Sequence, residues 1–195
     1  IYIQYLYNVN MSLEYSLLGF LNFGPMTGYD LKKTLDESTQ FFWHAELSQI
    51  YPELKSLEQK GSITSETLPQ DGKPDKKIYS ITSKGKEELR AWLSDPLDEA
   101  PVIKNKVLLK LFFSGILKKE EICSQLRCQL EIQHALLKRF QQESATRIKS
   151  AAQAKGMDNP ALMWDLVRRY GEAQAEMTVH WLEETLNVVE KTMKS

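Results

Sequence analysis

The chain is predicted to be mainly α-helical with one small β-hairpin, and three observations predict it. Apolar residues recur at spacings of three and four through most of its 195 residues, the signature of helices with one buried face. Only one stretch, Ile63–Leu68 with Lys76–Ile81, is rich in β-branched residues on both sides of a turn-forming loop that contains Asp71-Gly72, which reads as a hairpin with a long tip. Finally, Ser94-Asp95-Pro96-Leu97-Asp98-Glu99-Ala100-Pro101 is a connector, because the residue before a proline is biased away from helix. It separates a region of short elements from a region of long helices.

Residues 1–10 are uncharged and rich in Tyr and Ile, lack the basic region and cleavage site of a secretory signal, and are read as an upstream extension before a start at Met11. Residues 11–94 then form a first domain. Leu13, Leu17, Leu18 and Leu21 mark its first helix, ended by Gly24-Pro25. Thr27 is the expected N-cap of a second helix, with Asp30 three residues on and Leu31 and Leu35 turned inward. A third helix is predicted from about Ala45 to Lys60, with Leu47, Ile50, Leu54 and Leu57 as its stripe and Gly61 closing it. Pro52 within it removes a backbone donor and predicts a kink or an early start. After the hairpin, Thr82 or Ser83 caps a fourth helix whose buried side carries Leu89, Trp92 and Leu93. Three helices, a hairpin and a helix is the order of a winged helix-turn-helix.

Residues 95–101 are the connector, and residues 102–195 are predicted as a helical domain. A short helix, Val107–Phe113, stops near Gly115, and a long one runs from about Lys119 to Ala154 with Ile122, Leu126, Leu130, Gln133, Leu137, Phe140 and Ile148 on its stripe. The last helix has Pro160 in its first turn and Leu162, Leu166, Tyr170, Ala173, Met177, Trp181, Val188 and Thr192 on one face. Two helices of about 35 residues would each be about 50 Å long, too long for one small chain to cover. A two-fold dimer through these helices is therefore expected; an antiparallel pair folded within one chain is the alternative.

Composition and motifs exclude several functions. No apolar run approaches the roughly 20 residues of a membrane span. Cys123 and Cys128 read as incidental thiols of a reducing cytoplasm. His44, His134 and His180 fall on separate elements without metal-ligand spacing, and neither a phosphate-cradling glycine loop nor a Gly-x-Ser-x-Gly elbow occurs. Paired acids such as Glu120-Glu121 read as solvated helix faces. No enzyme, metal or cofactor is expected.

The net charge of −1 argues against nucleic acid held by bulk charge. Residues 12–94 carry 10 Lys/Arg and 12 Asp/Glu, a net of −2, yet Gly72–Lys86 holds Lys73, Lys76, Lys77, Lys84 and Lys86 against Asp75 alone, a net of +4. That cluster lies on the hairpin and the start of the next helix, where a wing meets phosphate. The third helix adds Ser48, Gln49, Tyr51 and Lys55 away from its apolar stripe, residue types that read base edges or bind phosphate. Glu46 and Glu53 on the same helix would oppose phosphate unless turned away.

The run Ser48-Gln49-Ile50-Tyr51-Pro52-Glu53-Leu54-Lys55-Ser56-Leu57-Glu58-Gln59-Lys60-Gly61 closely resembles the signature of the PadR family of transcriptional regulators. Gly28-Tyr29-Asp30-Leu31, Ile78-Tyr79-Ser80-Ile81-Thr82-Ser83-Lys84-Gly85 and Trp92-Leu93 fit it too. More loosely, Leu109–Phe113 and His180-Trp181-Leu182-Glu183 resemble the helical dimerisation region of the larger subgroup, which includes a phenolic-acid-responsive repressor. The resemblance implies a cytoplasmic homodimer on a two-fold operator of double-stranded DNA, usually a repressor. Ser48, Gln49 and Tyr51 would then be recognition-helix contacts, Tyr29 and Lys55 would lie near phosphate, and Lys73, Lys76 and Lys77 would form the wing. Leu47 stands where the phenolic-acid regulators tend to be polar, so the operator sequence does not transfer.

A small aromatic or phenolic effector would need aromatic walls and a cation. Phe112, Phe113, Trp164, Tyr170 and Trp181 are candidates for the walls and Arg168, Arg169 or His180 for its carboxylate, with core and interface packing as the competing reading. The acidic first domain also admits an alternative function, a protein–protein interaction module whose winged helix does not bind DNA.

Overall fold

The computed structural model describes residues 13–39, 41–69, 75–97, 104–154 and 156–193. The chain divides into two compact units, residues 1–100 and 101–195. Residues 1–10, most of the connector and the wing tip with Lys73 lie outside the described residues.

The first unit comprises α1 over residues 13–21, β1 (Met26–Thr27), α2 (Gly28–Ser38), α3 (Leu47–Lys60), β2 (Ile63–Leu68), β3 (Lys76–Ile81) and α4 (Ser83–Ser94). The three strands form one antiparallel sheet in the order β1-β3-β2, with Met26 opposite Tyr79 and Ile63 opposite Ile81. The predicted hairpin is present. The two-residue β1 carries no periodicity of its own and was not predicted; it is a strand only because β3 supplies its partner. Leu13, Leu17, Leu18, Leu21, Leu31, Leu35, Ile50, Leu54 and Leu57 form the core with Ile63, Tyr79 and Leu89, so the helical stripes read from sequence meet in one place.

Local chemistry sets the boundaries. Thr27 caps α2 in a reciprocal box, its hydroxyl accepting from Asp30 N–H at 3.1 Å while the Asp30 carboxylate accepts from Thr27 N–H at 3.2 Å. Gly61 ends α3 with φ 75°, a left-handed cap that favours glycine. Helix α3 continues through Pro52, which withdraws only the donor that Ser48 C=O would have used.

The turn after α3 is tied to the start of α4. Thr82 Oγ1 accepts from Gly85 N–H and donates to Gly61 and Ser62 carbonyls at 2.8 and 3.0 Å. Lys84 Nζ donates to Lys60 C=O, and the buried Ser62 hydroxyl donates to Glu88 at 2.6 Å. Gly85 makes this approach possible, because a β-carbon there would lie 2.2 Å from Ser62 O. The motif Thr82-Ser83-Lys84-Gly85 is therefore a structural staple. Two predicted core positions are corrected. Leu47, the first residue of α3, is exposed at the edge beyond Ile50, and Leu93 is exposed because α4 reaches the core through Leu89, a turn earlier. Trp92 keeps about a third of its surface exposed and stacks on Tyr15, ring centres 4.8 Å apart.

The second unit comprises α5 (Lys106–Phe113), a 3₁₀ turn at Ser114–Ile116, α6 (Lys119–Lys138), a π-helical stretch Arg139–Ser144, α7 (Ala145–Ala151) and α8 (Asp158–Thr192). Arg127 pairs with Glu190 at 2.6 Å and Arg168 donates to Phe140 C=O at 3.4 Å, so α8 runs antiparallel to α6. Ile122, Leu126 and Leu182 form its core. The π-helical stretch was not predicted; it carries the buried Phe140, whose carbonyl accepts from Arg168 at 3.4 Å.

The predicted stripe of α8 is also corrected. The buried residues are Ala161, Gly171, Ala175 and Leu182, whereas Leu162, Leu166, Tyr170, Met177 and Val188 are exposed. Small side chains let α8 approach its neighbours closely, and the bulkier apolar residues are turned the other way. Helix α8 thus has two apolar faces, one of them uncovered in the single chain.

Candidate nucleic-acid interface

Helix α3 buries Ile50, Leu54 and Leu57 and exposes Ser48, Gln49, Tyr51 and Lys55, which are the four predicted contacts on that helix. The Tyr51 ring packs on Gly28, the first residue of α2, and the next residue, Tyr29, is two-thirds exposed. The pairing of Thr27 with Ile78 brings β3 alongside this helix start. The Asp30 carboxyl is held below its usual range by Thr27 and, to a smaller degree, by the charges of Lys76 and Lys33. Tyr29, Tyr51, Lys76 and Lys77 therefore belong to adjoining elements, and Lys55 lies one turn along α3 from Tyr51.

Hydrogen bonding assigns some of these residues a second task. Gln49 Oε1 accepts from Glu46 N–H at 2.9 Å, so its carbonyl caps α3 while its amide donors remain. Lys77 Nζ donates to Glu58 at 2.9 Å and lies 5.2 Å from the centre of the buried Tyr79 ring. Glu58 also accepts from Ser65 Oγ on β2. Ser65 and Lys77 together hold the Glu58 carboxyl below its usual range, and the same ion pair holds the Lys77 ammonium above its own. Glu58 thus binds both strands of the wing to α3. Sequence reasoning assigned no part to Glu58 or to the packing role of Gly28, because each acts through a residue distant in the chain.

The acidic residues of α3 do not form an open negative face. The Glu46 carboxylate accepts from His44 Nε2 at 2.8 Å and lies 4.0 Å from Lys32 Nζ. Glu53 is half-buried, and burial raises its pKa, with Glu14 adding to the effect and Lys60 opposing it. Lys60 is itself paired to Glu14 of α1 at 2.8 Å, so the Glu53 environment is that of the α1–α3 packing. The charge objection raised by the sequence is reduced locally, by ion pairing and by turning one carboxyl inward.

The predicted effector residues are not gathered in this way. Phe112 and Phe113 contact each other edge to face on exposed surface of α5. Trp181 packs against the Leu126–Leu182 core, and Trp164 is half-buried. Arg168 is bound to Asp165 and Glu172 at 2.8 and 2.6 Å, and Arg169 to Asp165 at 2.7 Å. Tyr170 and His180 are exposed, the latter 3.4 Å from Glu184.

Comparison with known proteins matches both units. Residues 17–91 match the transcriptional regulator PadR-like family, and residues 103–190 match the C-terminal region of virulence activator alpha. The negative transcriptional regulator PadR of Bacillus subtilis is 34% identical over 181 residues, covering 92% of this chain and 98% of that protein. The structure of Bacillus subtilis PadR in complex with operator DNA is similar with a TM-score of 0.78 at 33% identity, covering 91% of this chain and 97% of the other. That of the same protein with p-coumaric acid gives 0.71 at 31% identity, covering 92% and 96%. With both units matched and a relative aligned along nearly its whole length, this chain belongs to the PadR-like family of transcriptional regulators.

Proposed function

We propose that the chain is a DNA-binding repressor that occupies a two-fold operator as a homodimer and is released by a small phenolic effector. The observation that carries this reading is the exposed Ser48-Gln49-Tyr51-Lys55 face of α3, held beside the wing by Glu58. In this reading Ser48, the Gln49 amide and Tyr51, all exposed, meet base edges. Tyr29, Lys55, Lys73 and Lys76 meet phosphate, which sets affinity and register. Lys77 contributes charge but is anchored, so it also fixes where the wing stands. The likeness to PadR on operator DNA supports the same docking.

The uncovered apolar face of α8 supports the homodimer, and a dimer doubles a modest patch of positive charge. The protein acts by binding rather than by catalysis. No described helix is long and apolar enough to cross a membrane, and a regulator of this kind works in the cytoplasm. The effector reading draws on the likeness to PadR with p-coumaric acid.

Fluorescence anisotropy with fragments of the chain's own promoter tests the reading. Affinity falls steeply as salt rises, and a variant with Lys73, Lys76 and Lys77 changed to Glu loses specific binding and flattens the salt slope. A wild-type chain that binds no fragment, or binds without salt dependence, overturns it and favours the interaction module.

A further inference from the structure

The lysines between Gly72 and Lys86 give the wing region its positive charge, but two of them are engaged inside the protein. Lys84 donates to Lys60 C=O and lies 3.6 Å from Glu88, and Lys77 donates to Glu58 at 2.9 Å. Lys76, the residue before Lys77 on β3, has no ion pair among the described residues. Successive residues of a strand point to opposite faces of the sheet. Lys77 therefore shares a face with Tyr79, and with Ser65, which stands opposite Tyr79 on β2. Glu58, in the last turn of α3, meets that face and accepts from both Ser65 Oγ and Lys77 Nζ.

The pair is partly exposed, Lys77 over 43% and Glu58 over 34% of the side chain. An ion pair this open to water contributes little to stability, yet it has two consequences for DNA. It ties the strands of the wing to α3, and it neutralises a lysine that stands in the wing. A free wing lysine attracts every duplex alike, because phosphate carries no sequence. A paired one loses that attraction and holds register instead. The Glu58 carboxyl is held below its usual range and the Lys77 ammonium above its own, so the pair stays ionised at neutral pH.

We propose that Glu58 is a specificity-determining residue for operator recognition: it withholds Lys77 from phosphate, which weakens binding to unrelated DNA, and it fixes the wing on α3, which favours the operator. Specificity is a difference of two affinities, and weakening the wrong complex raises it as surely as strengthening the right one. Glu58 acts through Lys77 and Ser65, so it is a positioning residue. The inference rests on the operator-binding reading above and deepens it. It also gives the near-neutral charge of the first domain a use, since a carboxylate beside the wing trades general affinity for discrimination.

The test uses the full chain and fluorescence anisotropy over a range of salt, with a promoter fragment and a duplex of the same length and composition in scrambled order. Glu58→Gln is expected to bind the scrambled duplex more tightly than wild type, with a salt slope steeper by about two per dimer, one for each freed lysine. Its preference for the promoter fragment falls about tenfold, the scale of one mismatched base pair. Glu58→Gln/Lys77→Gln keeps the reduced preference and returns the slope to the wild-type value. Lys77→Gln alone leaves the slope as it is, whereas Lys76→Gln flattens it by about two per dimer. This last comparison leaves Glu58 in place, so it decides the matter should Glu58→Gln fail to fold. Equal weakening of Glu58→Gln on both duplexes, with an unchanged slope, gives Glu58 a structural role only and overturns the proposal. A Lys77→Gln slope as flat as that of Lys76→Gln puts Lys77 on phosphate in the wild type and also overturns it. A wild type that prefers no promoter fragment overturns the operator reading itself.

Discussion

The phenol ring of Tyr51 covers Gly28 so closely that a β-carbon at residue 28 would lie 2.6 Å from Tyr51 Cε1 and 3.0 Å from Cζ. An exposed residue of α3 is thus positioned by the absence of a side chain on the preceding helix. Gly28→Ala is expected to displace the ring and lower operator affinity about tenfold, the value of one lost hydrogen-bonded contact. Fold stability changes little, because the ring end can move and alanine favours the helix. In a Tyr51→Ala background the same change has no further effect on binding, which a double-mutant cycle by anisotropy checks.

Gly85→Ala has the opposite profile. Its β-carbon would meet backbone, Ser62 O at 2.2 Å, and also Ile81 Cγ1 at 2.9 Å. Backbone cannot swing aside as a ring can, so the staple between α3 and α4 must open. A loss of about 3 kcal/mol is expected, at the upper end for overpacking, read as a lower urea midpoint with an unchanged slope.

Thr82→Val keeps the shape and removes the hydroxyl that caps α4 and donates to the Gly61 and Ser62 carbonyls. A cost of about 1–2 kcal/mol is expected from the lost cap alone. Thr82→Ser should recover most of it.

The acid limb of stability follows from Asp30. Its carboxyl is held below the ordinary value by the Thr27 hydrogen bonds, so its contribution is full above the unfolded pKa of about 4 and is lost as pH falls through the lower folded value. Asp30→Asn is therefore less stable than wild type at pH 7. The gap should narrow as pH drops below about 4, measured by thermal unfolding across the range.

The uncovered face of α8 makes the assembly testable. Leu166→Lys with Met177→Glu places charge on two exposed apolar positions and is expected to convert the dimer to 22.5 kDa monomers in sedimentation. Operator affinity should fall at least a hundredfold, because each monomer then holds only half of the site.

The sequence by itself determined the order of the first domain's helices and hairpin, the hairpin's limits, the Thr27 and Gly61 caps, the stripes of α1 and α2, and the family. Each of these depends on neighbours within a few residues, where side-chain type decides backbone geometry. The four exposed residues of α3 were legible for the same reason, since Ile50, Leu54 and Leu57 mark the opposite face. What lay beyond reach involved partners far along the chain. Strand β1 exists through β3, Gly28 matters through Tyr51, and Glu58 joins α3 to Ser65 and Lys77. The faces of α8 were misread because hydrophobicity ranks Leu166 and Met177 above Gly171 and Ala175, whereas close helix packing selects the small residues. Only the tertiary structure decided which cations are already paired, Arg168 with Asp165 and Glu172 and Arg169 with Asp165: an ion pair consumes a charge that composition still counts as available.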